Sequence, residues 1–225
     1  MTLDIRAFIF DLDGVITDTA ELHYRAWKRL ADEEGLPFTR ADNEHLRGVS
    51  RRESLNRILK GRPIDEPTAQ AWMTRKNTYY QGYLTELTAA DTLAGAAEFL
   101  KTARQAGVKI GLGSASRNAR EVLGRLALLF LFDVVGDGYS VVNAKPAPDL
   151  FVWVAGGLGV SPTQAVVFED AEAGIDAALA GGFWTVGIGS ANVQHAHVLA
   201  PEGLAALQPG ALLEQLNAVA LRSAG

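Results

Sequence analysis

Two aspartates one residue apart follow an apolar run near the start of the chain. Residues 7–10 are aromatic or aliphatic, which is typical of a buried strand, and Asp11 and Asp13 come directly after them. Side chains two positions apart in an extended segment project to the same side, so both carboxylates can face one reacting atom. One can attack as a nucleophile while the other donates or accepts a proton. Gly14 then allows the chain to turn sharply away.

Later apolar runs end in polar residues of complementary chemistry. The carboxyl ends of parallel strands meet at one edge of a sheet, so we expect these side chains to converge there with the two aspartates: Ser114, Lys145, Glu169 and Asp170. Four carboxylates cannot all stay ionised together without compensation. A set of oxygen ligands suits Mg²⁺, and Lys145 adds a second positive charge. Such a site is suited to stabilising a transferring phosphoryl group.

The elements that must position these residues alternate along the chain. Apolar runs at residues 7–10, 108–113, 132–135, 165–168 and 183–188 predict strands. Helical patterns follow at residues 95–105, 117–128, 148–158, 172–180 and 211–221, and residues 161–164 predict a single capped turn. The alternation predicts a doubly wound α/β core with a mostly parallel sheet.

One long segment interrupts this alternation. Residues 17–87 contain helical patterns without a convincing strand, including the spacing of Leu22, Ala26 and Leu30 and a capping box at residues 50–53. The aromatic residues of this segment predict packing within it: Trp72, Tyr79, Tyr80 and Tyr83. We expect a helical cap domain at residues 16–88, inserted into a catalytic core formed by residues 1–15 and 89–225. A cap at this position would cover the ligand-binding edge of the sheet.

Composition narrows the class of protein. The chain has 225 residues, of which 48% are hydrophobic, and it lacks a long uncharged apolar run, so we expect neither a membrane span nor a signal peptide. The absence of cysteine excludes disulfides and thiolate chemistry and fits a cytoplasmic location. A net charge of −5 disfavours nucleic acid as a partner. We expect a monomer, because no heptad pattern or apolar patch is evident.

The motifs together resemble those of the haloacid dehalogenase superfamily. The resemblance is carried by FDLDGVITDT at residues 10–19, GSAS at 113–116, KP at 145–146 and ED at 169–170. More narrowly, the chain is similar to the β-phosphoglucomutase family in HxxAW at residues 23–27, GVSR at 48–51, SASxN at 114–118, KPAPD at 145–149 and EDxxAGI at 169–175. The likeness extends from about residue 6 to about residue 190.

The resemblance implies a role for each core residue. Asp11 would be the phosphorylated nucleophile, and Asp13 would be the general acid and base that also offers its backbone carbonyl to Mg²⁺. The metal would take carboxylates from Asp11, Glu169 and Asp170. Ser114 and Lys145 would hold the transferring phosphoryl oxygens.

A second phosphate would be bound by Arg51 from the cap and by Ser116, Asn118 and Arg117 from the core. Ser116 lies where a helix is predicted to begin, and helix N-termini attract anions. The resemblance further implies substrate contacts or a hinge at Thr19, His23, Trp27, Gly48, Val49, Ser50, Ser54, Lys76 and Ala115.

The implied reaction interconverts β-D-glucose 1-phosphate and D-glucose 6-phosphate through an aspartyl phosphate and a released β-glucose 1,6-bisphosphate. Small-molecule sugar phosphates would therefore be the partners. A sugar-phosphate or phosphoglycolate phosphatase of the same superfamily remains open, because it shares the core motifs. A phosphoryl-accepting signalling domain is a non-enzyme alternative, which the long insertion and Asp13 disfavour.

The chain also departs from the family pattern. Arg47 and Arg117 stand where lysine is usual, and Ala94 replaces a proline that is common before Gly95. Arginine presents a planar fork in place of a point charge. These differences leave phosphate binding intact and bear on sugar specificity and cap closure.

Overall fold

Six parallel strands form one sheet in the computed structural model, which describes residues 2–189 and 193–223. In sequence order they are β1 (Ala7–Phe10), β2 (Lys109–Gly113), β3 (Val134–Gly136), β4 (Ala165–Glu169), β5 (Trp184–Ile188) and β6 (Val198–Ala200). Their order across the sheet is β3-β2-β1-β4-β5-β6, and every neighbouring pair is parallel. The chain therefore winds outward from β1 in two directions, which confirms the doubly wound α/β fold.

Helices cover both faces of the sheet because the central strands are apolar on both sides. Phe8 and Phe10 of β1 belong to one buried cluster, whereas Ala7 and Ile9 belong to the other. Helices α5 (Ala96–Gln105), α6 (Ala119–Arg125) and α9 (Pro209–Ser223) supply the first cluster, and α7 (Asp149–Leu158) and α8 (Glu172–Ala180) the second. The alternating side chains of one four-residue strand thus anchor both helical layers.

The register of the sheet brings three strand ends to the same level. Phe10 pairs with Leu112 of β2 and with Phe168 of β4. The residues that follow these strands therefore leave the sheet side by side, at its carboxyl edge. This edge is where an open parallel sheet binds ligands.

Four helices of the segment between β1 and β2 come before the core helix α5. They are α1 (Ala20–Glu33), α2 (Arg40–Glu44), α3 (Arg51–Leu59) and α4 (Glu66–Leu84). Trp27, Leu30, Leu55 and Ile58 belong to a buried cluster of their own within this insertion. Within residues 17–87, all of which the structure describes, strand-type pairing occurs only as isolated β-bridges at Thr17. The helical character of the segment is confirmed, while the division at residues 16–88 stays a prediction.

The structure differs from the sequence-based expectation at three elements. The helix predicted at residues 117–128 ends at Arg125, because Ala127 takes a φ of 55° and the Leu128 amide donates to the Leu123 carbonyl at 2.9 Å. The strand predicted at residues 132–135 begins at Val134, since the Asp133 carboxylate accepts from the Ile110 amide at 2.8 Å. Strand β6 was missed because it is a three-residue edge strand.

One smaller feature matches the expectation, and a second does so in part. Residues Pro162–Gln164 form a single turn closed by a capping box with Ser161. Ser50 caps helix α3 as predicted, and its hydroxyl accepts from the Glu53 amide at 3.2 Å, but the Glu53 carboxylate pairs with Arg57, so only half of the predicted capping box forms. Among the described residues, no helix combines the length and apolarity that a membrane crossing requires.

Candidate active site

Three carboxylates meet at the carboxyl edge of the sheet. Asp11 follows β1, Glu169 ends β4 and Asp170 follows it, and one oxygen from each lies within 4.8 Å of the other two. Lys145 Nζ donates to Asp11 Oδ1 and to Glu169 Oε1, both at 2.6 Å. Asp11, Lys145 and Glu169 are buried. The structure thus brings the predicted Asp11, Lys145, Glu169 and Asp170 together, and Lys145 pairs with two of the three acids.

The charge balance of this cluster fits a divalent cation. Burial raises the pKa of Glu169 and of Asp170, and in each case neighbouring carboxylates raise it further. Burial opposes the charge of Lys145, but the carboxylates of Asp11 and Glu169 outweigh burial and raise its pKa. The excess negative charge and the purely oxygen donor set are those that Mg²⁺ prefers. Asp11, Glu169 and Asp170 are therefore suited to hold this ion.

Two glycines allow the backbone to approach these carboxylates. Gly14 has a φ of 80°, and a Cβ there would lie 2.0 Å from Asp170 Oδ2. A Cβ on Gly174 of α8 would lie 1.8 Å from Glu169 Oε1. Both positions therefore exclude a side chain, so that the carboxylates can occupy the space.

The Asp13 side chain is held by Thr19, the residue that precedes α1 of the insertion. Its Oδ1 accepts from the Thr19 amide at 3.1 Å and from the Thr19 hydroxyl. The Thr19 hydroxyl is also 3.0 Å from the Tyr80 hydroxyl, which therefore donates to it. Burial raises the pKa of Asp13 to about 6, and the negative charge of Asp11 also raises it. The hydrogen bonds from Thr19 act in the opposite direction and lower the pKa. A carboxyl that titrates near neutral pH is suited to acid and base catalysis.

Ser114 and Ser116 form a chain of hydrogen bonds at the start of α6. Ser114 Oγ accepts from the Ser116 amide at 3.1 Å, and Ser116 Oγ accepts from the Asn118 amide at 3.2 Å. Ser116 therefore lies in the turn before α6, close to the predicted helix start. Arg117 lies over the Tyr139 ring, with 4.8 Å between the guanidinium carbon and the ring centroid.

Arg51 approaches this turn from the cap. Its Nη2 donates to Asn77 Oδ1 at 2.8 Å, and Asn118 Nδ2 donates to the same oxygen at 2.9 Å. Burial and the charge of Arg117 lower the pKa of Arg51. Sequence analysis missed Asn77, whose only sequence signal was its place beside Lys76.

His23 and Lys76 form a pair on the cap side of the pocket. Lys76 Nζ lies 2.7 Å from His23 Nδ1, and the His23 ring stacks on Tyr80 with 4.0 Å between centroids. Lys76 Nζ is also 4.9 Å from the centroids of the Trp27 and Tyr80 rings. Burial, followed by nearby positive charge, lowers the pKa of both His23 and Lys76. This side of the pocket therefore combines the Trp27 ring with two basic groups whose charged forms are disfavoured by burial.

One cavity joins these groups between the cap and the sheet edge. Its lining includes most of the predicted site residues: Asp11, Asp13, His23, Trp27, Gly48, Val49, Arg51, Ser54, Lys76, Ser114, Ala115, Ser116, Arg117 and Asp170. The other predicted site residues are not among those that line the cavity: Thr19, Ser50, Asn118, Lys145 and Glu169. Ala20, Asn43 and Leu46 also line the cavity and were not predicted.

Arg47 also lines the cavity, and it links the cap directly to the acidic cluster at the carboxyl edge of the sheet. Its Nη1 lies 3.4 Å from Asp170 Oδ2, and its Nε lies 3.0 Å from Glu44 Oε2. Arg47, one of the residues that depart from the family pattern, thus contacts Asp170, one of the three carboxylates.

Comparison with known proteins gives consistent matches. The family model described as haloacid dehalogenase-like hydrolase matches residues 5–182. β-Phosphoglucomutase of Bacillus subtilis is 45% identical over 189 residues, which cover 82% of this chain and 84% of that protein. A phosphorylated carbohydrates phosphatase of Thermotoga maritima is 34% identical over 181 residues, covering 79% of this chain and 82% of that protein.

A solved structure agrees over almost the whole chain. The crystal structure of β-phosphoglucomutase from Clostridium difficile superposes with a TM-score of 0.93 at 39% identity, covering 97% of this chain and all of that one. The fold, the family model and the sequence identity to known relatives all indicate the same family. The chain therefore belongs to the haloacid dehalogenase-like hydrolase family and, within it, groups with the β-phosphoglucomutases.

Proposed function

We propose that this protein is a Mg²⁺-dependent β-phosphoglucomutase that interconverts β-D-glucose 1-phosphate and D-glucose 6-phosphate. The observation that carries the proposal is a single cavity lined by two different sets of groups. One set is Asp11, Asp13 and Ser114 with Asp170 of the acidic cluster, and the other is Arg51 and Arg117. A ligand with phosphates at both ends needs both sets of groups, whereas simple hydrolysis of a monophosphate needs only the first.

Phosphoryl transfer begins from the phosphorylated form of Asp11. The 6-hydroxyl of β-glucose 1-phosphate attacks the phosphorus, Asp13 accepts the hydroxyl proton, and the bond between phosphorus and the Asp11 oxygen breaks. The product is β-glucose 1,6-bisphosphate, and Asp11 returns to its free carboxylate.

The bisphosphate then leaves, turns around and rebinds with its 1-phosphate beside Asp11. An Asp11 oxygen attacks that phosphorus, the bond to the sugar O1 breaks, and Asp13 returns its proton to O1. Glucose 6-phosphate is released and Asp11 is phosphorylated again. Asp11, Glu169, Asp170 and the Asp13 backbone carbonyl would hold Mg²⁺, which would stabilise the developing negative charge when bound. Lys145 and Ser114 orient and neutralise the phosphoryl oxygens.

A mutase must deliver its phosphoryl group to a sugar hydroxyl in preference to water. The helices inserted after β1 cover the pocket, and the hydrogen bond from Thr19 to Asp13 ties the catalytic acid to the first residues of that insertion. Water exclusion and the arrival of Asp13 can therefore be coupled to closure of the cap. His23, Trp27 and Lys76 would meet the sugar ring inside the closed pocket.

A sugar-phosphate phosphatase is the second candidate. It is favoured by the Thermotoga relative, which is a phosphatase, and by the fact that the same Asp11 and Asp13 chemistry would serve with water as the acceptor. The pair of arginines that line the cavity, Arg51 and Arg117, favours the mutase. A phosphoryl-accepting signalling role has no evident use for this enclosed pocket.

A coupled assay separates the two enzymes. β-Glucose 1-phosphate is supplied with Mg²⁺ and a trace of the bisphosphate, and glucose 6-phosphate is followed beside free phosphate. We expect glucose 6-phosphate to form in large excess over phosphate and the rate to disappear when Mg²⁺ is chelated. Dominant phosphate release would reject the mutase. A cytoplasmic location and a monomeric state stay predictions.

A further inference from the structure

Asn77 of α4 joins the cap to the core beside Arg51, which lines the cavity. Its Oδ1 accepts hydrogen bonds from Arg51 Nη2 at 2.8 Å and from Asn118 Nδ2 at 2.9 Å. Arg51 opens α3 of the insertion, whereas Asn118 directly precedes α6 of the core. One neutral oxygen therefore holds together two donors that lie on opposite sides of the interface.

The surroundings of Arg51 differ from those of its neighbours in sequence. Arg47 pairs with Glu44, and Arg52 pairs with Glu66. For Arg51, the described ranges 2–189 and 193–223 contribute no carboxylate in an ion pair, and the charge of Arg117 repels it. Burial and a second nearby cation both raise the free energy of a charged side chain, and an anion bound between the two cations lowers it. The neutral amide of Asn77 positions Arg51 without cancelling its charge.

We propose that Asn77 is a positioning residue that fixes Arg51 and Asn118 for the second phosphate of a bisphosphorylated sugar, and that its neutrality keeps this site available to the anion. This inference rests on the proposed function. Guanidinium has five N–H donors and the Asn118 amide has two, so each can bond to Asn77 and to a phosphate oxygen together. Asn77 thereby makes no contact with the reacting atoms, but it sets the geometry of Arg51 and Asn118, which bind the substrate.

Replacement by aspartate distinguishes this role from a structural one. Aspartate has the same size and accepts both hydrogen bonds, and bonds to a charged acceptor are stronger. If Asn77 served only to hold the cap against the core, Asn77→Asp would therefore do so at least as well. If the site serves an anion, the introduced carboxylate competes with the phosphate for Arg51 and weakens its binding.

The test compares Asn77→Asp and Asn77→Ala with the wild type and with Asn56→Asp. Asn56 makes the same kind of contact, accepting from Arg52 Nε at 3.2 Å on the exposed side of α3, and it lies outside the cavity. For each protein, KM and kcat are measured for β-glucose 1-phosphate, and KM is measured for acetyl phosphate, which has no second phosphate.

We expect Asn77→Asp to raise KM for β-glucose 1-phosphate by at least ~10-fold, with Asn77→Ala between it and the wild type. The kcat and the KM for acetyl phosphate should change less, and Asn56→Asp should match the wild type. A KM for Asn77→Asp that equals that of the wild type, or lies below that of Asn77→Ala, would overturn the proposal. Because aspartate keeps both acceptors, Asn77→Asp serves as the test even when Asn77→Ala fails to fold, and thermal unfolding verifies its integrity.

Failure of the proposed function has a different signature. In that case the wild type itself releases phosphate in place of glucose 6-phosphate. The variants are then compared on phosphate release from glucose 1,6-bisphosphate and from acetyl phosphate. A rise in KM confined to the bisphosphate supports the role of Asn77 in a phosphatase, and equal changes for both substrates reject it.

Discussion

Asp170 has less positive charge beside it than the other two carboxylates of the acidic cluster. Lys145 pairs with Asp11 and Glu169 at 2.6 Å, while Asp170 faces Arg47 at 3.4 Å. Burial and the neighbouring acids accordingly raise its pKa. Without a metal ion, the folded protein therefore relieves the repulsion by holding a proton at this cluster.

Stability of the metal-free protein should consequently depend on pH. A folded-state pKa above the unfolded value gives stability that is complete below the unfolded pKa, near 4, and is lost as pH rises through the folded pKa. We therefore expect Mg²⁺ to raise the melting temperature by at least ~3 °C more at pH 8 than at pH 5. Thermal unfolding in chelator and in saturating Mg²⁺ measures this difference.

A matched pair of variants assigns the effect to the cluster. Asp170→Asn should shrink the pH dependence of the Mg²⁺ shift, whereas Asp32→Asn, in an exposed pair with Lys28, should leave it unchanged. An equal Mg²⁺ shift at both pH values would contradict the assignment of the raised pKa.

At the scale of elements, strand β4 and helix α8 place Glu169. The strand ends at Glu169, whose Oε2 accepts from the Ala171 amide at 2.8 Å, and α8 returns so that Gly174 lies against the same carboxylate. The carboxylate is held between Lys145 on one side and the helix backbone on the other. A side chain on α8 at this position would have to displace it.

We expect Gly174→Ala to weaken Mg²⁺ binding by at least ~10-fold, because a Cβ would lie 1.8 Å from Glu169 Oε1 and ligand position controls metal affinity. Calorimetric titration with Mg²⁺ measures the affinity. Gly156→Ala on α7 is the control, since a Cβ there meets nothing within 4 Å. That control should gain about 0.5–1 kcal/mol in the free energy of unfolding. Unchanged Mg²⁺ affinity in Gly174→Ala would show that Glu169 can move without loss.

At the scale of the whole molecule, the insertion and the sheet edge each contribute part of one pocket. The cap brings Arg51, His23 and Lys76, and the core brings the acidic cluster and the turn before α6. The two parts are joined by hydrogen bonds and ion pairs that include Arg47 to Asp170 and Asn77 to Asn118. The pocket is therefore complete only while the cap lies over the core.

Removal of a cap residue should separate transfer to a sugar from chemistry at Asp11. We expect Arg51→Ala to lower kcat/KM for β-glucose 1-phosphate by at least ~100-fold, because charged hydrogen bonds to phosphate are strong. Formation of the aspartyl phosphate from acetyl phosphate should fall much less, since that donor lacks a second phosphate. Both rates are measured by coupled assay.

The neighbouring Arg52→Ala is the control for this variant. Arg52 is exposed and pairs with Glu66 and Asn56 outside the cavity, so its loss should have little effect on either rate. Equal losses on both substrates in Arg51→Ala would remove Arg51 from the second phosphate site.

Much of the core could be predicted because its signals are local. The apolar run at residues 7–10 matches β1 from end to end, and the strand at residues 165–168 differs from β4 only by Glu169. Parallel strands with buried faces have to share one carboxyl edge, so the proximity of Asp11, Ser114, Lys145 and Glu169 followed from their positions after strands. The helical nature of residues 17–87 also followed from local periodicity and capping.

The sequence by itself therefore determined the fold class, the catalytic edge and most residues of the pocket. Only the tertiary structure decided which distant side chains meet, both within the insertion and between it and the core: Tyr80 donates to Thr19, and Asn77 links Arg51 to Asn118. These partners lie 26 to 61 positions apart in the sequence, and no local pattern relates them. The raised pKa values of Asp13, Glu169 and Asp170 are decided at the same level, because they depend on burial and on charges delivered by separate strands.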